Sequence, residues 1–162
     1  VAAGEYLIVP YERDRHGDGP WQVVARVFED YGFEVDPEAE ADVVRPERHY
    51  REGWFMVVEG PDGRVVGCVG LSDEGSGEFR LNRLYLLPEA RGKGLGERLT
   101  GLFIGMAREA GASRLVLFSD VAFEHAHRLY ERCGFRRNRF RYAPDRWESR
   151  EWGFVMELRE VR

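Results

Sequence analysis

The run Arg91-Gly92-Lys93-Gly94-Leu95-Gly96 narrows what this chain can fold into more than any other stretch. It follows an apolar strand-like segment, Leu81 to Leu87, and opens a helix. Glycines at 92, 94 and 96 remove the side chains that would hold a ligand off the backbone, so successive N–H groups can converge on an anion. The helix adds the positive end of its dipole, which makes a phosphate or pyrophosphate the natural guest. Arg91 and Lys93 place formal positive charge beside the same cradle.

Two other glycine loops fail on the letters. A P-loop requires Gly-Lys-Ser/Thr to carry the magnesium-binding hydroxyl, but Gly94 is followed by Leu95. A dinucleotide fingerprint requires Gly-x-Gly-x-x-Gly after the first strand of a βαβ unit and an acid about 20 residues on. Here the spacing is Gly92-x-Gly94-x-Gly96 inside the chain, and Asp120 after Ser119 is a weak match for that acid. A turn that only brings strand and helix together is the plain structural alternative.

At 162 residues the chain suits one domain over residues 1–162 with a real core, and its 43% hydrophobic and 13% aromatic content fits a packed globule. A net charge of −5 disfavours bulk binding to nucleic acid or an anionic membrane. Cys68 and Cys133 imply no disulfide framework, and no apolar run reaches a membrane span, so the expected setting is cytoplasmic.

The pattern predicts a strand at Tyr6–Val9 and a helix from Pro20 carrying Val23, Val24, Val27 and Phe28, stopped by Gly32. Strands follow at Trp54–Val58 and Val65–Leu71 around the turn Gly60-Pro61-Asp62-Gly63, then at Glu78–Leu87. The helix after the glycine loop has an apolar stripe of Leu95, Leu99, Leu102 and Met106, with Gly101 and Gly105 on its flank, where another backbone can pack close. A strand at Leu115–Phe118, a helix from about Phe123 to Cys133 with Ala126, Leu129, Tyr130 and Cys133 inward, and strands near Phe135–Tyr142 and Gly153–Leu158 complete the chain.

A second landmark reads Ala126-His127-Arg128-Leu129-Tyr130-Glu131-Arg132-Cys133-Gly134-Phe135. Together with Leu86-Leu87-Pro88-Glu89-Ala90-Arg91-Gly92-Lys93-Gly94-Leu95-Gly96 it closely resembles the GNAT family of N-acetyltransferases, matching that family's cofactor loop and its Leu-Tyr-Glu-x-x-Gly-Phe signature. The resemblance is clear from Glu78 to Phe135 and extends to the N-terminal part only through element order. It implies a single-domain α+β GNAT fold, with a mixed, mostly antiparallel twisted sheet of six to seven strands flanked by about four helices. It also implies acetyl-CoA as acyl donor, with the pyrophosphate on the amides from Arg91 to Gly96 and the pantetheine arm along the backbone of Leu86 and Leu87. Family members bend the strand before the loop with a bulge, which opens it towards the thioester.

For the chemistry, the resemblance places Tyr130 as the acid that protonates the departing sulfur, and a backbone N–H near Leu86 or Leu87 as the donor to the thioester carbonyl. The alternative for Tyr130 is a core aromatic with a local hydroxyl partner. Relatives often carry a glutamate in a Glu-Leu-x-Arg-Leu-Tyr setting, but here the run is Arg80-Leu81-Asn82-Arg83-Leu84-Tyr85. Glu78, two residues earlier on the same side of the strand, is the candidate base, directly or through water. Asp120 is a second candidate or a helix N-cap. His127 falls off the expected inward face, as a surface residue or a contact to CoA. Phe123 stands where relatives often place an asparagine for the cofactor.

Glu34, Asp36, Glu38, Glu40 and Asp42 read first as a solvated acidic loop and second as a lure for a cationic amine. Arg136, Arg137, Arg139 and Arg141 read as the charged face of a strand rather than a nucleic-acid surface. His125-x-His127 makes a poor metal site, so no metal is expected. The expected activity is direct acetyl transfer to a primary amine of a small molecule or peptide, since no serine or cysteine has a nucleophile's setting. The alternatives are a CoA-binding regulatory module without turnover, or acetylation of protein amines. A homodimer through Trp147 or Trp152 is open.

Overall fold

The computed structural model describes residues 5–159. In chain order the elements are β1 (Leu7–Pro10), α1 (Arg13–His16), α2 (Gly19–Asp30), α3 (Ala41–Val44), α4 (Pro46–His49), β2 (Phe55–Glu59), β3 (Val65–Gly75) and β4 (Glu78–Leu86). A 3-10 turn over Pro88–Ala90 then precedes α5 (Leu95–Glu109), β5 (Arg114–Asp120), α6 (Glu124–Arg132), β6 (Arg136–Tyr142) and β7 (Arg150–Glu157). The hydrogen-bonded strand order is β1-β2-β3-β4-β5-β7-β6. β4 and β5 pair in parallel, while β1–β2, β2–β3, β5–β7 and β6–β7 are antiparallel. This is the mixed seven-stranded sheet expected. Among the described residues the sheet is accompanied by six helices, three longer ones and three single turns of four residues, α1, α3 and α4.

The chain forms two compact units, one from the residues up to Gly70 with Arg83–Leu95, the other from Leu71–Asn82 with the residues from Gly96 onward. β3 and β4 each contribute a segment to both.

In the first unit, Pro20 sits in the first turn of α2, where its missing N–H costs nothing. Val23, Val24 and Val27 then fall on one face and are buried. Val23 and Val24 belong to a core with Val43, Phe55, Val57 and Cys68, in which each valine or phenylalanine side chain is worth about 1.5–3 kcal/mol when removed from water. The turn between β2 and β3 closes as the sequence predicts: Gly63, at φ +84°, donates its N–H to the Gly60 carbonyl at 2.9 Å. The polar segment before Tyr50 is not plain loop, since α3 and α4 lie in it and Pro46 starts α4. His16 is pinned in one tautomer: its Nδ1 accepts the Glu12 N–H at 2.9 Å, so Nε2 carries the proton to Glu59 at 2.7 Å.

In the second unit the buried stripe of α5 is rotated by about one residue from the expected one. Leu95, Leu99, Phe103 and Ala107 are buried, whereas Leu102 is 40% exposed and Met106 is half-buried. Phe103 displaces Leu102 because the larger ring takes the i+4 position below Leu99. No backbone packs at Gly101 or Gly105; a methyl added at either meets nothing within 4 Å. Gly96 is the tight position, with an added Cβ 2.9 Å from Leu129 Cδ2. On α6 the buried face runs through Phe123, His127 and Tyr130, with Ala126, Leu129 and Cys133 only half-buried. β6 is an edge strand whose residues are nearly all exposed.

Candidate active site

The glycine loop has the local chemistry of an anion cradle. Gly92 and Gly94 have φ of +73° and +77°, a region in which a Cβ costs about 1–2 kcal/mol, and an added Cβ at either meets open space. Backbone handedness is therefore what requires glycine there. The Arg91 N–H is taken by the Pro88 carbonyl at 3.2 Å, which closes the 3-10 turn. The amides of Gly92, Lys93 and Gly94 donate to no protein acceptor among the described residues. The first-turn amides of α5 have none by helix geometry. Free N–H groups, a helix start and the exposed Lys93, whose Nζ lies 5.6 Å from the Tyr6 ring centroid, fit a pyrophosphate.

The strand leading into the loop is bent at Arg83, whose φ of +58° is rare for a residue with a Cβ. The parallel ladder of β4 with β5 comprises Glu78–Arg114, Phe79–Leu115 and Arg80–Val116. Leu86 and Leu87 differ from each other in a way the sequence does not show. Leu87 has no exposed backbone: its N–H donates to the Val66 carbonyl at 2.8 Å, and its carbonyl accepts from the Ala90 N–H at 2.9 Å. Strand alternation turns the Leu86 N–H and carbonyl to the opposite edge. There the Leu86 carbonyl accepts from Arg91 Nε at 3.1 Å. Arg91 thus braces the strand end as well as carrying charge.

Tyr130 is 5% exposed on α6, between the rings of Phe135 (6.0 Å) and Phe154 (5.6 Å). Its neighbour on the same face corrects the sequence reading. His127 is 2% exposed, its Nε2 lies 3.1 Å from Ser119 Oγ, and its ring packs against Phe154 with centroids 5.4 Å apart and planes tilted by 39°. Burial, then the Arg137 charge, pushes its pKa below the ordinary histidine value. It is a neutral core residue, inward because α6 runs only from Glu124 to Arg132 and centres its buried face one residue later than the apolar letters suggest.

Glu78 accepts from Arg114 Nε at 3.0 Å, at the start of β4, so its carboxylate is neutralised by a guanidinium. Asp120 makes a local turn, its Oδ1 accepting the Ala122 N–H at 2.9 Å, and Phe123 rather than Asp120 is the N-cap of α6. Arg80 is paired with Glu74 at 3.0 Å and lies 5.2 Å from the Phe118 ring centroid. Phe123 itself is buried.

The acidic stretch divides in two. Glu34 and Glu38 are exposed, but Glu40 and Asp42 are drawn in by Arg83. Arg83 donates to Asp42 at 2.8 and 3.1 Å and lies 3.6 Å from Glu40. The Tyr50 hydroxyl donates to Asp42 at 2.7 Å, and the Cys68 thiol bonds the Arg83 carbonyl at 3.3 Å. Burial pushes the Cys68 thiol up to about 12, so it is inert as a nucleophile. Burial also raises the Glu40 carboxyl above its ordinary range, opposed by Arg83. Sequence reasoning missed this cluster because its organiser is a left-handed arginine inside a strand. The letters around Arg83 gave no sign of it, since Glu78, Arg80 and Asn82 make the same strand polar at other positions.

Among the described residues, no group of three His, Cys, Asp or Glu is placed to hold a metal ion, and no helix is long and apolar enough to cross a membrane. Trp152 lies in β7 against Phe140, edge-on at 5.6 Å, whereas Trp147 is 37% exposed.

A mixed sheet of this order with a bent fourth strand and a glycine loop opening the next helix defines an acyltransferase-type fold. A sequence model of the acetyltransferase (GNAT) family matches residues 21–135, most of the chain, and the protein belongs to that family. It is 37% identical over 84 residues to the uncharacterized N-acetyltransferase YjgM of Escherichia coli, covering 50% of each chain. It is 33% identical over 96 residues to a mycothiol acetyltransferase of Stackebrandtia nassauensis, covering 54% of this chain and 31% of that protein. The chain thus spans half or less of the length of these two relatives. A GNAT acetyltransferase from Staphylococcus aureus has the same fold at a TM-score of 0.84 and 17% identity, covering 96% of this chain and all of its own.

Proposed function

We propose that this chain transfers an acetyl group from acetyl-CoA directly to an amine. The observation that carries the reading is the loop from Gly92 to Gly94, with left-handed glycines and unbonded amides at the start of α5. In this reading the amides of Gly92, Lys93 and Gly94, with Leu95 and Gly96 in the first turn, hold the pyrophosphate, and Lys93 neutralises part of its charge. Acetyl-CoA supplies a thioester with an electrophilic acyl carbon. The Leu86 N–H donates to the donor's polar groups, the thioester carbonyl among them, and Arg91 keeps the Leu86 carbonyl fixed while it does so. The neutral amine nitrogen bonds to the acyl carbon as the C–S bond breaks, Tyr130 gives its proton to the departing sulfur, and the proton shed by the nitrogen passes to Glu78 or to solvent, from which Tyr130 regains one.

Glu78 is the candidate base in this reading, directly or through water, from a partly exposed carboxylate that also accepts from Arg114 at 3.0 Å. Transfer is direct in this reading: burial raises both the Cys68 and the Cys133 thiols above their ordinary range, and the Ser119 hydroxyl that meets His127 is buried in the core. The name of the Stackebrandtia relative supports a small-molecule acceptor over a protein one.

The test is incubation with acetyl-CoA and a panel of primary amines and peptides, with free thiol read as product. Amine-dependent thiol release is expected, and Tyr130→Phe lowers kcat by roughly 10²–10⁴-fold with the CoA dissociation constant unchanged. CoA binding without amine-dependent release would make the chain a CoA-responsive binding module instead. An unaltered kcat in Tyr130→Phe would remove the acid role.

A further inference from the structure

Glu40 is the one carboxylate in the described residues with a buried oxygen that no protein group satisfies. Its side chain is 8% exposed, and Oε2 has no hydrogen-bond partner. Around it stand Asp42, which is ion-paired to Arg83, and Tyr50, which is neutral and already donates to Asp42. Counting the ionised forms, Glu40 and Asp42 give −2 and Arg83 gives +1, so this largely buried cluster holds a surplus charge of −1. A buried carboxylate without a full partner is expensive, and native structures keep few of them. The Arg83 guanidinium lies only 3.6 Å away but spends its closest bonds on Asp42. The cluster therefore has an electrostatic vacancy for one cation.

The reacting nitrogen is the wrong guest for that vacancy. A carboxylate beside an ammonium favours its protonated form, and a protonated amine cannot attack a thioester. A nitrogen held at Glu40 is one that stays charged. Its reactive partner is then a second nitrogen of the same molecule. Pro37, Glu38 and Ala39, which lead into Glu40, are exposed, so the chain at Glu40 comes directly from the surface.

We propose that Glu40 is a specificity-determining carboxylate that seats a non-reacting ammonium of the acceptor, and that the preferred acceptors are alkyl diamines or polyamines. This rests on the acetyltransferase reading for its role in turnover, but not for the binding itself. The experiment measures calorimetric binding of 1,4-diaminobutane and of butylamine to the whole chain and to Glu40→Gln. Expected is binding of the diamine at least tenfold tighter than the monoamine in the unaltered protein, with that preference lost in Glu40→Gln. A second readout is thermal stability at about pH 8: Glu40→Gln removes the surplus charge and raises Tm without ligand, whereas a purely structural carboxylate would lower it. In turnover, Glu40→Gln raises the KM for the diamine at least tenfold more than the KM for butylamine. Equal binding of the two amines by the unaltered protein, no binding of the diamine, or an unaltered diamine affinity in Glu40→Gln would each overturn the proposal. Failure of CoA to bind would instead count against the acetyltransferase reading, whatever the diamine result.

Discussion

Replacing Arg83 with methionine isolates the buried pairing at the bend of β4. Methionine keeps an aliphatic stem and a Cβ, so the left-handed backbone strain, about 1–2 kcal/mol, is common to both proteins and cancels. What is lost is the guanidinium, 2.8 Å from Asp42 and 3.6 Å from Glu40. Breaking a buried ion pair on one side costs about 3–5 kcal/mol. Asp42 is 23% exposed and keeps the Tyr50 hydroxyl, so water and that bond screen part of the loss. We expect a net destabilisation of about 2–4 kcal/mol near neutral pH. For a chain of this size that is a fall in Tm of about 5–15 °C. The cost depends on pH with a definite sign. Glu40 already has a folded-state pKa above its unfolded value, and losing the cation raises it further. As pH rises through that window the unfolded chain gives up the Glu40 proton more readily than the folded variant does, so the defect is largest at about pH 8 and smaller at about pH 5. Urea denaturation followed by tryptophan fluorescence at both pH values measures it. A loss below about 0.5 kcal/mol, or one identical at the two pH values, would refute the pairing argument.

Three further outcomes are accessible to simple measurements. Gly94→Glu puts a Cβ at φ +77° and a negative charge on the cradle, and should weaken CoA binding by about 100-fold or more, read by calorimetry; intact affinity would remove the loop from the donor site. Gly96→Ala should stay within about 1 kcal/mol of the parent, because helix propensity offsets a contact that the end of Leu129 can relieve, while Gly96→Val should lose about 1–3 kcal/mol by urea denaturation. His127 has a depressed folded-state pKa, so the unfolded chain gains its proton first as pH falls below about 6.5 and stability drops there; His127→Phe should flatten that slope, and an unchanged slope would place the titration elsewhere.

The sequence carried the parts of the fold that rest on periodicity and punctuation. Pro20, Gly63 and the loop glycines did their local work where the letters put them, because proline and positive-φ glycine act within a turn. Apolar stripes were legible to within one residue. That error mattered, since it exchanged Phe103 for Leu102 on α5 and turned His127 from surface to core. Histidine is neutral enough to be buried once one hydroxyl, here that of Ser119, meets its ring. The candidate site was readable at its anion loop and not at its carboxylates. Whether Glu78 is free or paired depends on Arg114, 36 residues away, and whether Glu40 is solvated depends on Arg83, 43 residues away. Such pairings arise from strand register and from the bend at Arg83, neither of which is written locally.

β6 is the last strand of the sheet, and its free side is a row of unpaired peptide groups. Beside that border Arg137 is paired with Glu131 and Arg141 with Glu151, so among the described residues Arg136 and Arg139 are the cations left beside the exposed rings of Phe140 and Tyr142. Two such borders repel before their amides can knit together, which guards the molecule against growing by strand addition. That guard is electrostatic and acts over roughly 10 Å at ordinary ionic strength. Concentrated salt lowers it while leaving the sticky aromatics in place, so solutions of this protein should keep best when dilute in electrolyte.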